Sequence, residues 1–96
     1  MIDSAENSKS LLQFHILLFA GLRDALQSDS LDVSLQAGST PGPTVADLLR
    51  ECETQFPVLR DWLPHIRIAV NLEYSQPNTR LQDGDEIAFI PPVAGG

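Results

Sequence analysis

Apolar and polar residues alternate or cluster at strand length in four stretches of the chain, and one further stretch repeats at helical spacing. Phe14-His15-Ile16-Leu17-Leu18-Phe19-Ala20 is a short apolar run of strand length, and Gly21 marks its exit. Leu31-Asp32-Val33-Ser34-Leu35 alternates strictly, which predicts a second strand and a hairpin across residues 22 to 30. Gly38-Ser39-Thr40-Pro41-Gly42-Pro43 is a loop made of chain breakers. Thr44 then opens a helix: Asp47 follows three residues on in capping-box fashion, and Val45, Leu48, Leu49, Cys52 and Phe56 recur at helical spacing until Pro57 closes it. Burying each of these side chains stabilises by about 1.5–3 kcal/mol, so the helix belongs to the core. Ile66-Arg67-Ile68-Ala69-Val70-Asn71-Leu72 alternates as a third strand after a turn around Pro64. Residues 73 to 79 form a polar loop with a turn at Pro77-Asn78, and Leu81 falls in a short edge strand. Asp83-Gly84-Asp85 is a tight turn feeding a last strand, residues 86 to 90.

The resulting order, β-β-α-β-(β)-β, predicts an α+β fold. A mixed sheet of four to five strands is covered on one face by one main helix, with the first and last strands parallel at the centre. The two-residue period assigns the faces. Phe14, Ile16, Leu18, Ile66, Ile68, Val70, Ile87 and Phe89 point under the helix, whereas His15, Arg67 and Glu86 face water. The outer face then carries Leu17, Phe19, Ala69, Ala88 and Ile90, an apolar patch of the kind that docks a partner. A strand phase displaced by one residue would instead leave ordinary scattered apolar residues.

Composition narrows the class. Ninety-six residues, 43% apolar and 20% charged, make one domain with a single modest core. Residues 1–12 are polar and aperiodic, a flexible leader; residues 13–90 form the domain and residues 91–96 an extended tail. Apolar runs are too short to span a bilayer and the start lacks a basic signal, so the expected location is cytoplasmic. A net charge of -7 opposes phosphate binding and disfavours nucleic acid, leaving a basic protein partner as the better fit, although acidity also serves solubility. The lone Cys52 excludes an internal disulfide.

The tail carries the strongest chemical suggestion. Pro91-Pro92-Val93-Ala94-Gly95-Gly96 follows the last strand directly. A terminal glycine pair arises by chance in about one chain in 200. Proline lacks a backbone donor and fixes φ, so the strand stops at Ile90 and a stiff segment leaves the sheet. At about 3.3 Å per residue the tail reaches on the order of 20 Å. Gly95 and Gly96 have no side chains, so a narrow channel admits them and a nucleotide or nucleophile can approach the terminal carbonyl.

On Leu17-Leu18-Phe19-Ala20-Gly21-Leu22-Arg23-Asp24, on Ala69-Val70-Asn71, and above all on residues 83 to 96, the chain resembles the MoaD family, small sulfur-carrier subunits of molybdopterin synthase related to ThiS and to ubiquitin-like proteins. The polar leader, the loop at residues 38–43 and Ala94, where Ser or Thr is often seen, depart from that pattern without removing an atom the chemistry needs. The resemblance implies a ubiquitin-like β-grasp fold and a non-catalytic carrier within a sulfurtransferase complex. A MoeB-like enzyme would adenylate Gly96 using ATP, and a persulfide sulfur donor would convert it to a thiocarboxylate. A MoaE-like large subunit, in a heterotetramer, would then receive the tail and bind cyclic pyranopterin monophosphate. Gly96 would carry the sulfur, Gly95 give clearance, and Pro91, Pro92, Val93 and Ala94 set reach. No cofactor or metal would be bound by the chain itself. A ThiS-like carrier for thiamine thiazole or another cofactor, and a ubiquitin-like modifier or binding module, are the alternatives.

Other reactive residues are weaker candidates. Cys52 lies in the apolar helix stripe, where packing explains it better than a persulfide role. His15 and His65 are too far apart for a recognisable metal motif. Asp83, Asp85 and Glu86 lack calcium-loop spacing and are expected to shape a turn and present negative charge. Arg23 and Arg67 read as solvated surface charges, with partner docking as the alternative. The only lysine, Lys9, falls in the leader, so the body offers an activated terminus no nearby amine.

Overall fold

Edge-to-centre pairing of five strands organises the chain, which a computed structural model describes over residues 11–38 and 42–92. The elements run β1 (Leu11–Leu18), α1 (Ala20–Leu26), β2 (Ser30–Gln36), α2 (Val45–Gln55), two short 3-10 helices (Pro57–Asp61 and Leu63–His65), β3 (Arg67–Val70), β4 (Glu73–Tyr74) and β5 (Glu86–Ile90). They form one sheet in the order β2-β1-β5-β3-β4. β1 is antiparallel to β2 from Leu11↔Gln36 to Leu17↔Ser30 and parallel to β5 from His15↔Glu86 to Leu18↔Phe89. The predicted parallel pairing of first and last strands at the centre is therefore present, in a mixed α+β sheet.

Period two holds on the inner face. Phe14, Ile16 and Leu18 of β1, Leu31, Val33 and Leu35 of β2, and Ile87 and Phe89 of β5 are buried against Val45, Leu48 and Cys52 of α2. The predicted capping box is formed. The Thr44 N–H donates to Asp47 Oδ2 at 2.9 Å, and the Asp47 N–H donates to Thr44 Oγ1 at 3.4 Å. α2 ends at Gln55, and Pro57 opens a 3-10 turn that drives Leu59 into the core.

Four expectations need correction. β1 begins at Leu11 instead of near Phe14, because Leu11 and Leu12 pair with Gln36 and Leu35, so the leader gives up its last two residues to the sheet. The hairpin connection holds helix α1, whose Leu22 is fully buried, and Gly21 sits inside that helix. The third strand is shorter than its alternating sequence. Asn71 and Leu72 both take positive φ, 52° and 73°, in a two-residue turn closed by Val70↔Glu73. The edge strand is consequently β4, in the segment expected as polar loop. Leu81 is buried in the core, its N–H donating to the Pro43 carbonyl at 3.0 Å, while its neighbour Arg80 makes an isolated bridge with Thr44. Residues 1–10, including Lys9, and Ser39, Thr40 and Pro41 of the breaker loop lie outside the described residues.

Candidate outer-face docking groove

The sheet face opposite α2 is divided into a polar and an apolar half. Toward the start of β1 and β5, His15 is flanked by Asp32 on β2 and Glu86 on β5, and His15 Nδ1 lies 2.8 Å from Asp32 Oδ1, where the carboxylate accepts. Ser34 Oγ donates to Gln13 Oε1 at 2.8 Å in the same half. Toward the strand ends the face turns apolar. Leu17 pairs with Ala88, and Ala88 with Ala69. Parallel pairing thus sends Leu17, Phe19, Ala88 and Ile90 to the end where β5 hands the chain to Pro91.

All five residues expected on the outer patch, Leu17, Phe19, Ala69, Ala88 and Ile90, line one concavity of about 370 Å³, completed by Leu72, Tyr74 and Glu86. Ala69 is only 7% exposed, so it forms the floor instead of a contact rim, being enclosed by Tyr74 and Ala88 across the sheet. The walls are Phe19 at 44%, Tyr74 at 65% and Leu72 at 91% exposure. Leu72 and Tyr74 are absent from the patch expected on pattern alone, since Leu72 reads as the end of the third strand and Tyr74 falls in a segment whose polar composition suggests a loop. The available signal is Asn71, a residue that tolerates positive φ and so permits the tight turn that sets Ala69 opposite Tyr74. Arg67 stacks over the Tyr74 ring, 5.0 Å from its centroid, holding a cation at the groove's rim.

At the tail root β5 stops at Ile90 as the prolines predict, but Pro91 is buried and only Pro92 is exposed, so the body extends one residue past the strand. Val93, Ala94, Gly95 and Gly96, the remainder of the expected tail, lie outside the described residues.

The other candidates resolve into structure. Asp83 accepts the Gln13 N–H at 2.7 Å, and Gly84, at φ 86°, donates its N–H to the Gln13 carbonyl at 3.0 Å, pinning the turn to β1. Asp85 accepts from Gln82 N at 2.8 Å and Asn71 Nδ2 at 3.0 Å. Both aspartates shape the turn, as expected. Glu86 alone of the three faces the groove. Cys52 is fully buried, and burial, aided by Glu51, pushes its thiol up to about 12, so it stays protonated. His15 and His65 are on separate elements, and among the described residues no cluster of His, Cys, Asp or Glu is suited to a metal. Arg23 lies 3.8 Å from Asp29, both exposed, a weak surface pair. Among the described residues no helix is long and apolar enough to cross a membrane.

Known proteins are similar to this chain in sequence and in fold. The molybdopterin synthase sulfur carrier subunit of Mycobacterium tuberculosis is 34% identical over 87 residues, spanning 90% of this chain and 100% of that protein. Its counterpart of the same name in Dictyostelium discoideum is 35% identical over 86 residues, 88% of this chain and 96% of that one. Among solved structures, SAMP1 from Haloferax volcanii superposes with a TM-score of 0.73 at 28% identity, covering 88% of this chain and 99% of that one, so the fold is the ubiquitin-like β-grasp. With the ThiS family model matching residues 16–96 as well, the chain belongs to the ThiS family, among relatives that are sulfur carrier subunits of molybdopterin synthase.

Proposed function

We propose that this chain is the sulfur-carrier subunit of molybdopterin synthase, with Gly96 as the attachment point of the sulfur. The observation that carries the reading is the position of the apolar groove: parallel pairing of β1 and β5 sets it at the end of the sheet from which Pro91 and Pro92 leave. A partner seated there receives the tail at the same time. The names of the curated relatives add the pathway and the word subunit.

A carboxylate is a poor electrophile, so activation has to supply a leaving group. A MoeB-like enzyme joins the Gly96 carboxylate to AMP from ATP, releasing pyrophosphate. The terminal sulfur of a persulfide then displaces AMP, and a thiol reduces the resulting acyl disulfide to the thiocarboxylate. A MoaE-like large subunit docks on the groove and binds cyclic pyranopterin monophosphate, receiving sulfur from two successive carriers in a heterotetramer. The chain contributes positioning: the tail turns delivery into a reaction within one complex. The phosphate-binding cations belong to the partner, which suits a carrier of net charge -7.

Intact mass spectrometry after incubation with the activating enzyme, ATP and a persulfide donor tests the proposal. Replacement of one terminal oxygen by sulfur, followed by its loss on addition of the large subunit and pterin substrate, is expected. The likeness to SAMP1, a small archaeal modifier protein, favours a second reading, a protein modifier. That reading predicts amide-linked conjugates to lysines of other proteins and no sulfur transfer to the pterin.

A further inference from the structure

Leu72 combines two features that oppose each other in an isolated domain. It is a large apolar side chain at 91% exposure, and it sits at φ 73°, a left-handed conformation that L side chains other than Asn, Asp and Gly rarely take. Neither burial nor backbone preference accounts for leucine there. The conformation is imposed by its neighbour. Asn71 is clamped to the start of β5: its N–H donates to the Glu86 carbonyl at 2.8 Å, its Nδ2 to Asp85 Oδ1 at 3.0 Å, and its Oδ1 accepts the Glu86 N–H at 3.0 Å. With Val70 and Glu73 paired on either side, the turn has no room to relax. Strain held by such over-determined surroundings marks functional positions.

We propose that Leu72 is a rigid anchor, presented by the clamped Asn71-Leu72 turn, that inserts into an apolar pocket of the partner subunit and helps decide which partner the groove accepts. The inference rests on the carrier reading above. Leu72 is continuous with the groove, forming its outer wall beside Tyr74 and Glu86. Its surroundings also indicate the occupant. Glu86, the carboxylate that lines the groove with Leu72, has no ion pair among the described residues, and the chain carries a net charge of -7, so the fitting pocket is apolar with a basic group at its rim. A second copy of this chain would set two bodies of net charge -7 against each other. Because the turn is held before contact, no loop ordering has to be offset on binding.

The test compares Leu72→Asn and Leu72→Met with the wild-type chain. Asparagine accepts positive φ, so Leu72→Asn is expected to raise the melting temperature by about 2–6 °C. The same variant should bind the large subunit of molybdopterin synthase at least ~10-fold more weakly by calorimetry. Leu72→Met should stay within about threefold of wild type. Higher stability with unchanged affinity in Leu72→Asn overturns the anchor while leaving the carrier reading intact. Absence of any binding by the wild type removes both. A concentration-dependent dimer of the wild type that Leu72→Asn disperses would assign the turn to self-association and overturn the partner assignment.

Discussion

Leu17 and Ala88 are register partners in the parallel pair at the centre of the sheet, and that one alignment places the groove beside the tail. An antiparallel β1–β5 pair would have put the apolar ends of the two strands at opposite edges. Phe19, one residue past β1 and extended at φ -130°, ψ 155°, then becomes the wall on that side.

Phe19→Asp is therefore expected to weaken docking of the large subunit by on the order of 10-fold or more while leaving the fold intact. At 44% exposure the side chain lines the groove without anchoring the core. Calorimetric titration and a thermal melt on the same preparation check this. Unchanged affinity would refute the outer face as the docking surface.

Gly21 and Trp62 make a second testable pair. A Cβ at Gly21 would meet the far edge of the Trp62 ring at 2.8 Å, too close for any real contact. Alanine is the better helix former by up to about 1 kcal/mol, but displacing a half-buried indole costs about 1–3 kcal/mol. Gly21→Ala should thus destabilise on balance, with a shifted Trp62 fluorescence maximum. Higher stability with an unaltered emission spectrum would show that the ring moves freely.

Much of this arrangement was legible in the residues. Strict alternation in Leu31 to Leu35, and in the last strand the phase set by Glu86, indicated which side chains face α2, and Thr44 with Asp47 announced the helix. The parts that were not legible depend on backbone conformation instead of side-chain pattern. Asn71 and Leu72 look like the end of an alternating strand, and only the hydrogen bonds from Asn71 to Asp85 and Glu86, some 14 and 15 residues away, turn them into a hairpin. The edge strand and two of the groove's walls follow from that turn. Similarly, helix α1 has only seven residues, too few for a helical period to stand out, and it is held by burial of Leu22.

Cys52 is predicted to be inert in the native state. With its thiol raised to about 12 by burial, the reactive thiolate is scarce near neutral pH, and the sulfur is out of contact with solvent. Alkylating reagents at pH 8 should modify it only on unfolding, and Cys52→Ala should accept sulfur at the terminus as wild type does, at a cost in stability of about 1–2 kcal/mol. Loss of sulfur loading in a Cys52→Ala chain that remains folded would show that the cysteine takes part in the transfer.

The capping box links stability to acidity through Asp47. The hydrogen bond from the Thr44 backbone holds the Asp47 carboxyl below its ordinary value against an opposing effect of burial, and the Thr44 hydroxyl and the guanidinium groups of Arg50 and Arg80 add smaller contributions in the lowering direction. A folded-state value below the unfolded one means that the stabilisation is complete above the unfolded carboxylate range, about pH 4, and is lost as pH falls through the lower folded value. Asp47→Asn should therefore lose stability mainly above pH 4 and converge on wild type in stronger acid. Thr44→Ala, which removes the other half of the box, should cost about 0.5–2 kcal/mol at neutral pH. Chemical denaturation of the three chains at pH 7 and pH 3 gives the comparison. If the difference between Asp47→Asn and wild type is as large at pH 3 as at pH 7, the charge of Asp47 does not support the helix.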